Sequence, residues 1–210
     1  MTPKQVDKET KRKQIYQAGM ELFAQKGVVG TTIQEIADRA GVGKGTVYEY
    51  FNSKEDILAA SFQFMQSEME QTLKRELEGV ETPREKLQSV FQGMAGYLDN
   101  LPEGVAEILL VFWAEGILQN PNDDPYTQFD LKAMYENYTG WVEAIIDEGK
   151  EVGVFRTDIS SQELASILVG VMDGLMLQWV LFRDRIELDR VSRTMMDAIY
   201  TGILTDDSEG

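Results

Sequence analysis

Apolar residues recur along most of this chain at helical spacing, and the interruptions fall where helices would have to start and stop. Ile15, Ala18, Gly19, Leu22 and Phe23 follow the i, i+3, i+4, i+7, i+8 stripe of a helix with one buried face, and Gly27 ends it. Ile33, Ile36, Ala37 and Ala40 repeat the stripe over a shorter span. That span opens with Thr32 and Glu35, spaced for a capping box in which side chain and backbone satisfy each other's orphan donors. It closes at Gly41, where a helix C-terminus needs a left-handed residue. A further short helix, Lys44 to Phe51, starts after a turn of only a few residues. It buries Val47 and Phe51 at i, i+4 and leaves Lys44, Thr46, Tyr48, Glu49 and Tyr50 outside. Two short helices about a glycine turn form a helix-turn-helix unit, and its second helix fits the DNA major groove.

Beyond it the pattern stays helical. Ser53 with Asp56 opens a long helix to about Leu77, apolar at Leu58, Phe62, Met65, Met69, Leu73 and Leu77. Thr82, Pro83 and Glu85 supply a cap, a first-turn proline and a box for the next helix, whose stripe is Leu87, Val90, Phe91, Met94 and Leu98. Val105 to Leu118 is apolar nearly all round, broken by Glu107 and Glu115, which predicts a helix at the centre of the larger body. QNPNDDP at 119–125 reads as a loop. A helix from about Tyr126 to Lys150 carries Leu131, Met134, Tyr135, Tyr138, Val142 and Ile145 on one side with Trp141 beside them, and Gly149 and Gly153 end it. Ser160 and Glu163 cap a helix with Leu164, Leu168, Val171 and Leu175 on one face and Gly170, Leu177 and Val180 on another. Such a helix suits one face in its own subunit and one against a partner. The last helix, Leu188 to about Leu204, offers Leu188, Val191, Met195 and Ala198, with Ile199 as a further seam. Residues 1–8 read as a loose arm and 205–210 as an acidic, disordered tail.

The expected fold is all-α, with an N-terminal three-helix helix-turn-helix head at 1–54 on a larger helical ligand-binding and dimerisation body at 55–210. The head's core is Ile15, Leu22, Phe23, Ile33, Ile36, Val47 and Phe51.

The run TTIQEIADRAGVGKGTVYEYFNSKEDIL, residues 31–58, resembles the DNA-binding signature of the TetR family of bacterial repressors nearly end to end. The resemblance implies a homodimer with a DNA-binding head and a ligand-binding, dimer-forming body. It also implies base and phosphate contacts from Thr32 and Gln34 on the supporting helix, from Lys44, Thr46, Tyr48 and Tyr50 on the recognition helix, and from Lys54 at the start of the next. Two departures stand out. Gly43 occupies a helix start where the family often has Ser, and Glu49 places an anion on the reading surface, either as a solvated side chain or as an acceptor for a cytosine amino group.

The charge first argues against a nucleic-acid partner, since the formal net charge is -16. Its distribution reverses that. Residues 1–54 hold 9 Lys and Arg against 6 Asp and Glu, net +3, while 55–210 hold 11 against 30, net -19. A mildly basic head on an acidic body orients the molecule head-first toward a polyanion, with few phosphate contacts per head. Lys11, Arg12 and Lys13, at the start of the first helix, are either a solvated basic turn or phosphate contacts.

The chain has no cysteine and no histidine, which removes disulfides, thiol nucleophiles, imidazole bases and the usual structural zinc sites. No catalytic constellation, metal cluster or cofactor motif stands out. The polar start MTPKQVDKETKRK lacks the apolar core of a signal peptide. Leu164 to Phe182 resembles a membrane span but carries Asp173, which costs about 2.5 to 3.5 kcal/mol at mid-bilayer. It reads as a helix buried in protein, with no membrane partner, in a cytoplasmic chain.

In the body, Phe91, Met94, Phe112, Trp113, Tyr138, Trp141, Met172 and Met176 are of the types that line an adaptable apolar cavity. Each alone fits core packing better. Together they suit a hydrophobic effector. Glu107, Glu115 and Asp173 sit in apolar helical settings and call for a partner, either internal or a cationic ligand, while Arg183 and Arg185 are the candidates for an acyl-chain carboxylate. The reading that follows is a ligand-responsive repressor, a homodimer on a pseudo-palindromic double-stranded operator. The alternatives are an all-helical carrier or enzyme with a vestigial head, and an architectural DNA-binding protein without an effector.

Overall fold

A computed structural model describes residues 3–118 and 130–204, with side chains over 8–114 and 130–204. The expected loop at 119–125, a helix start at Tyr126, the side chain of Glu115 and the tail at 205–210 lie outside the described residues. Regular structure among the described residues is helical: α1 Pro3–Lys26, α2 Ile33–Ala40, α3 Lys44–Tyr50, α4 Lys54–Leu77, α5 Pro83–Asp99, α6 Val105–Leu118, α7 Leu131–Glu151, α8 Ser161–Leu181 and α9 Leu188–Ile203. One isolated antiparallel bridge joins Phe155 and Leu204. Met1–Glu68 with Leu101–Leu131 forms one compact unit, and Met69–Asn100 with Lys132–Gly210 another.

The first unit is built on local signals that the pattern already carries. α1 packs on α2 and α6, and α2 on α3, around Ile15, Phe23, Ile36, Val47 and Ile57, all fully buried. Leu22 and Phe51 join them. Ile33 is only half-buried, while Ile57 of α4, absent from the expected core, is fully buried. The helix begins at Pro3 in place of a loose arm, because proline at the first helical position lacks only an N–H that has no partner there. Lys11, Arg12 and Lys13 therefore lie well inside α1, where Arg12 covers the Phe51 ring at 5.6 Å and Lys13 the Phe64 ring at 4.6 Å.

α6 is grouped with these helices and not at the centre of the larger body. Its Val105, Ala106, Ile108 and Phe112 are buried, and Phe112 stacks on Phe62 of α4 with ring centroids 3.7 Å apart. Glu107 and Val111 are exposed, so an all-round apolar helix here keeps a solvent face.

The second unit packs α5, α7, α8 and α9 around Leu87, Phe91, Ile146, Phe155, Leu168 and Met196. Thr82 caps α5, accepting from the Glu85 amide at 3.2 Å, and Pro83 follows it. Ser160 does the same for α8 from Glu163 at 3.3 Å. Tyr200 of α9 donates to the Arg84 carbonyl of α5 at 2.6 Å, and Lys86 pairs with Glu148 across α5 and α7 at 2.7 Å.

Three expectations change. Gly149 lies within α7, held against the Phe155 ring, and the helix ends only before Gly153, whose φ is 75°. On α8 the buried face is Ala165, Leu168, Val169, Met172, Met176 and Trp179, while Val171 is exposed. On α9 the buried seam is Leu188, Ser192, Met196, Tyr200 and Ile203, an i+4 path rotated from the expected one; Val191, Met195 and Ile199 are half-buried and Ala198 is exposed. Polar Ser192 and amphipathic Tyr200 on that seam are what the apolar pattern passed over.

Candidate nucleic-acid interface

The short helical pair is locked before any ligand arrives. Thr32 Oγ1 accepts from the Glu35 amide at 3.3 Å and donates to Glu35 Oε2 at 2.7 Å, while the Thr32 amide donates to the same oxygen at 2.9 Å. Lys26 also pairs with Glu35. The hydrogen bond from Lys26, then those from Thr32, hold the Glu35 carboxyl down to about 2, so the box stays charged throughout the neutral range. Arg39 ties the far end of α2 to Glu21 of α1 at 2.7 Å. Gly41 then takes φ 69° as the C-cap, its amide donating back to the last carbonyls of α2, and so permits the sharp entry into α3.

α3 has one inward and one outward side. Val47 is fully buried and Phe51, at its C-cap, nearly so. Lys44 and Glu49 are exposed, Tyr48 is 51% exposed, and Thr46 and Tyr50 are half-exposed. On α2, Gln34 is exposed and donates to Asp38 Oδ1 at 2.8 Å; Thr32 is exposed but engaged in its cap. Gly43 leaves α3 with no side-chain cap bond, which relative to a capping Ser costs only a few tenths of a kcal/mol. At the start of α4, Ser53 Oγ accepts from the Asp56 amide at 3.1 Å, and the Asp56 carboxylate reaches back to the Asn52 amide at 3.0 Å, a box shifted by one residue. Lys54 is turned inward: its ammonium donates to the carbonyls of Val28, Val29 and Thr31. Sequence reasoning gave no sign of that contact, because the partners are backbone atoms more than twenty residues away.

The residues nominated for an effector fall into both units. Phe112 and Trp113 are in the first, with Phe112 committed to its stack on Phe62. In the second, Phe91 and Met172 belong to the main core, Met94 packs against it, and Met176 is buried. Tyr138 and Trp141 share a tilted ring contact at 6.0 Å. The Tyr138 hydroxyl is buried without a partner among the described residues, and burial, then the nearby Glu70 carboxylate, pushes its pKa up. Asp173, the carboxylate in an apolar helix, is half-buried and accepts from the Tyr135 hydroxyl at 2.8 Å; burial raises its pKa and that bond opposes the rise. Arg183 covers the Trp179 ring at 4.2 Å, and Arg185 lines an open cleft of about 210 Å³ with Glu187, Arg190, Val191 and Thr194, away from the aromatic set. Among the described residues no acidic, histidine or cysteine group is placed to hold a metal ion.

Residues 15–61 match the model of the bacterial regulatory proteins of the tetR family, and residues 83–203 match that of the BetI-type transcriptional repressor C-terminal domain. The HTH-type transcriptional repressor DhaR of Mycobacterium sp. (strain GP1) is 27% identical over 189 residues, 90% of this chain and 91% of its own. The fatty acid metabolism regulator protein of Bacillus subtilis (strain 168) is 24% identical over 196 residues, 93% and 97%. A TetR transcription regulator from Haloarcula marismortui has the same fold at a TM-score of 0.80 with 21% identity, covering 94% of this chain and all of its own. The two family matches together take in the helix-turn-helix pair and all of α5 to α9, and on them the chain belongs to the TetR family of bacterial transcriptional regulators.

Proposed function

We propose that this regulator is a cytoplasmic repressor which binds a pseudo-palindromic operator as a homodimer and is released from it by a hydrophobic small molecule. The observation that carries the reading is the two-sided α3: Val47 and Phe51 anchor it inward while Lys44, Thr46, Tyr48 and Tyr50 form a ridge toward solvent. Lys44 suits a phosphate, the tyrosines and Thr46 suit base edges and sugars, and Thr32 and Gln34 suit backbone contacts beside the groove. The head of residues 1–54 reads DNA and the rest of the chain, 55–210, carries effector and partner surfaces.

The second copy has a place to go. α8 exposes Ile167 (58%), Val171, Leu177 and Leu181 (63%) on one stripe, with Phe182 just beyond, and Gly170 and Gly174 on the same side have open space where a side chain would stand. Large apolar side chains aligned along a helix are what an isologous two-fold contact uses. The aromatic and methionine groups of the body, Phe91, Met94, Phe112, Trp113, Tyr138, Trp141, Met172 and Met176, favour an apolar effector, and a relative named for fatty acid metabolism agrees with that class. To carry the protein from 1:99 to 99:1 the effector must prefer the released state by about 5.5 kcal/mol.

Selection from random duplexes with the wild-type protein is expected to enrich an inverted repeat whose half-site centres lie one turn of roughly 34 to 36 Å, or a multiple, apart. Val171→Glu with Leu177→Glu should halve the mass in solution and lose the repeat while leaving α8 folded. An enriched sequence without two-fold symmetry would overturn the homodimer reading, and a doubly charged α8 that still pairs would overturn the placing of the contact on α8.

A further inference from the structure

The turn between α1 and α2 is closed by a lysine from another helix. Lys54 Nζ donates to the Val28 carbonyl at 2.7 Å and to the carbonyls of Val29 and Thr31 at 3.3 Å each. An ammonium has three N–H donors and no acceptor, so these three oxygens engage all of them. Little else fixes the turn. The Val29 side chain is 94% exposed and packs on nothing, and Gly30 has no side chain. Val28 is half-buried, and Thr31 is buried, with its hydroxyl on the Gly27 carbonyl at 2.8 Å and its amide on the Val28 carbonyl at 3.2 Å. Gly30 runs so close to α1 that a Cβ there would lie 2.5 Å from the Lys26 carbonyl, so the turn has no room for a side chain at that position. The next residue is Thr32, the cap of α2.

We propose that Lys54 is a positioning residue for DNA binding: its ammonium braces the Val28–Thr31 turn from the first residue of α4 and so sets where α2 begins, and it is not itself a phosphate ligand. The proposal rests on the DNA-binding reading above. To meet a phosphate, Lys54 would have to give up its bonds to three carbonyls, of which Val28's keeps the Thr31 amide, and hydrogen bonds to a charged donor are roughly twice as strong as neutral ones. Lys44, exposed on α3, carries no such commitment. The brace also means that a shift of the first turn of α4 moves the start of α2 directly, in addition to whatever it does to α3.

The two roles predict opposite results for Lys54→Arg. Arginine keeps the charge and is the better phosphate ligand, but its planar fork cannot serve three oxygens converging on one point. Binding of the full-length protein to a duplex selected by the wild type is measured across a salt series, and backbone amide exchange is followed in the free protein. Lys54→Arg and Lys54→Met should each weaken binding roughly tenfold or more, as loss of charge-assisted hydrogen bonds does, with the salt slope unchanged and the Thr31 amide exchanging faster. Lys44→Gln, as the comparison, should lower the slope by about 0.9 for each phosphate that Lys44 neutralises. Wild-type affinity in Lys54→Arg, or a slope reduced in Lys54→Met as in Lys44→Gln, overturns the proposal. If Lys54→Met does not fold, Lys54→Arg decides. If the wild type enriches no duplex, the DNA reading itself has failed, and unaltered exchange at Thr31 in Lys54→Arg would separately remove the brace.

Discussion

Gly149→Ala is expected to destabilise the second unit by about 3 kcal/mol, at the upper end of what overpacking one methyl into a core costs. The sign is the informative part, because alanine inside a helix normally stabilises by roughly 0.5 to 1 kcal/mol over glycine. Here the added Cβ would stand 2.0 Å from Phe155 Cδ2 and 2.4 Å from Cε2. The ring cannot step aside. Phe155 is fully buried in the core of α5, α7, α8 and α9, and its own amide and that of Val154 both donate to the Gly149 carbonyl, at 3.0 and 2.8 Å. On its other side the Arg156 amide donates to the Ile203 carbonyl at 2.9 Å, so the backbone is fixed from two directions. Phe155→Ala alone should cost about 3 to 5 kcal/mol through the cavity it leaves. The double variant should then cost less than the two added together, since the methyl enters space the ring has vacated. Urea unfolding of the wild type and the three variants measures each of these differences. A neutral or stabilising Gly149→Ala would mean that the ring is not held as described.

That contact also marks where sequence reading reaches its limit. Glycine near the end of an apolar stripe reads as a stop, and Gly41 is one, with φ 69°. Gly149 has the same local context, yet it remains helical, because its role is set by a ring six residues on that folds back over it. The caps at Thr32, Thr82 and Ser160 were legible for the opposite reason: donor and acceptor lie three residues apart, and the chain between them fixes the geometry. The outward side of α3 was legible on the same terms, as Val47 and Phe51 dictate which side of a seven-residue helix remains outside.

Arrangements between elements were not. α6 has the composition of a central helix but pairs with α1 and the first half of α4, since apolar composition states how much surface must be covered and not by what. The buried seam of α9 differs from the expected one by a rotation that Ser192 concealed. The aromatic and methionine residues of the body are distinguished in the sequence by type alone, and type does not separate a core ring such as Phe91 from one with an unmet hydroxyl such as Tyr138.

On the DNA side, Lys44→Gln and Tyr48→Ala are expected to weaken operator binding in two distinguishable ways. Lys44 is an exposed charge at the first residue of α3, where a phosphate contact is expected. Its loss should lower affinity for every duplex by a similar factor and reduce the salt slope by about 0.9 per head. Tyr48 stands one turn further along, with half its surface free, where a base contact is expected. Its truncation should remove about 1 to 3 kcal/mol of discrimination per half-site, felt twice in a dimer, with little change in slope. Neither substitution touches Val47 or Phe51, so stability should stay within about 0.5 kcal/mol of wild type, as for other surface changes. The contrast between the two is the test: phosphate contacts position the head and base contacts specify the site. Should Tyr48→Ala bind the selected duplex and a scrambled one in the wild-type ratio, α3 would not be the element that reads sequence, whatever its affinity for DNA.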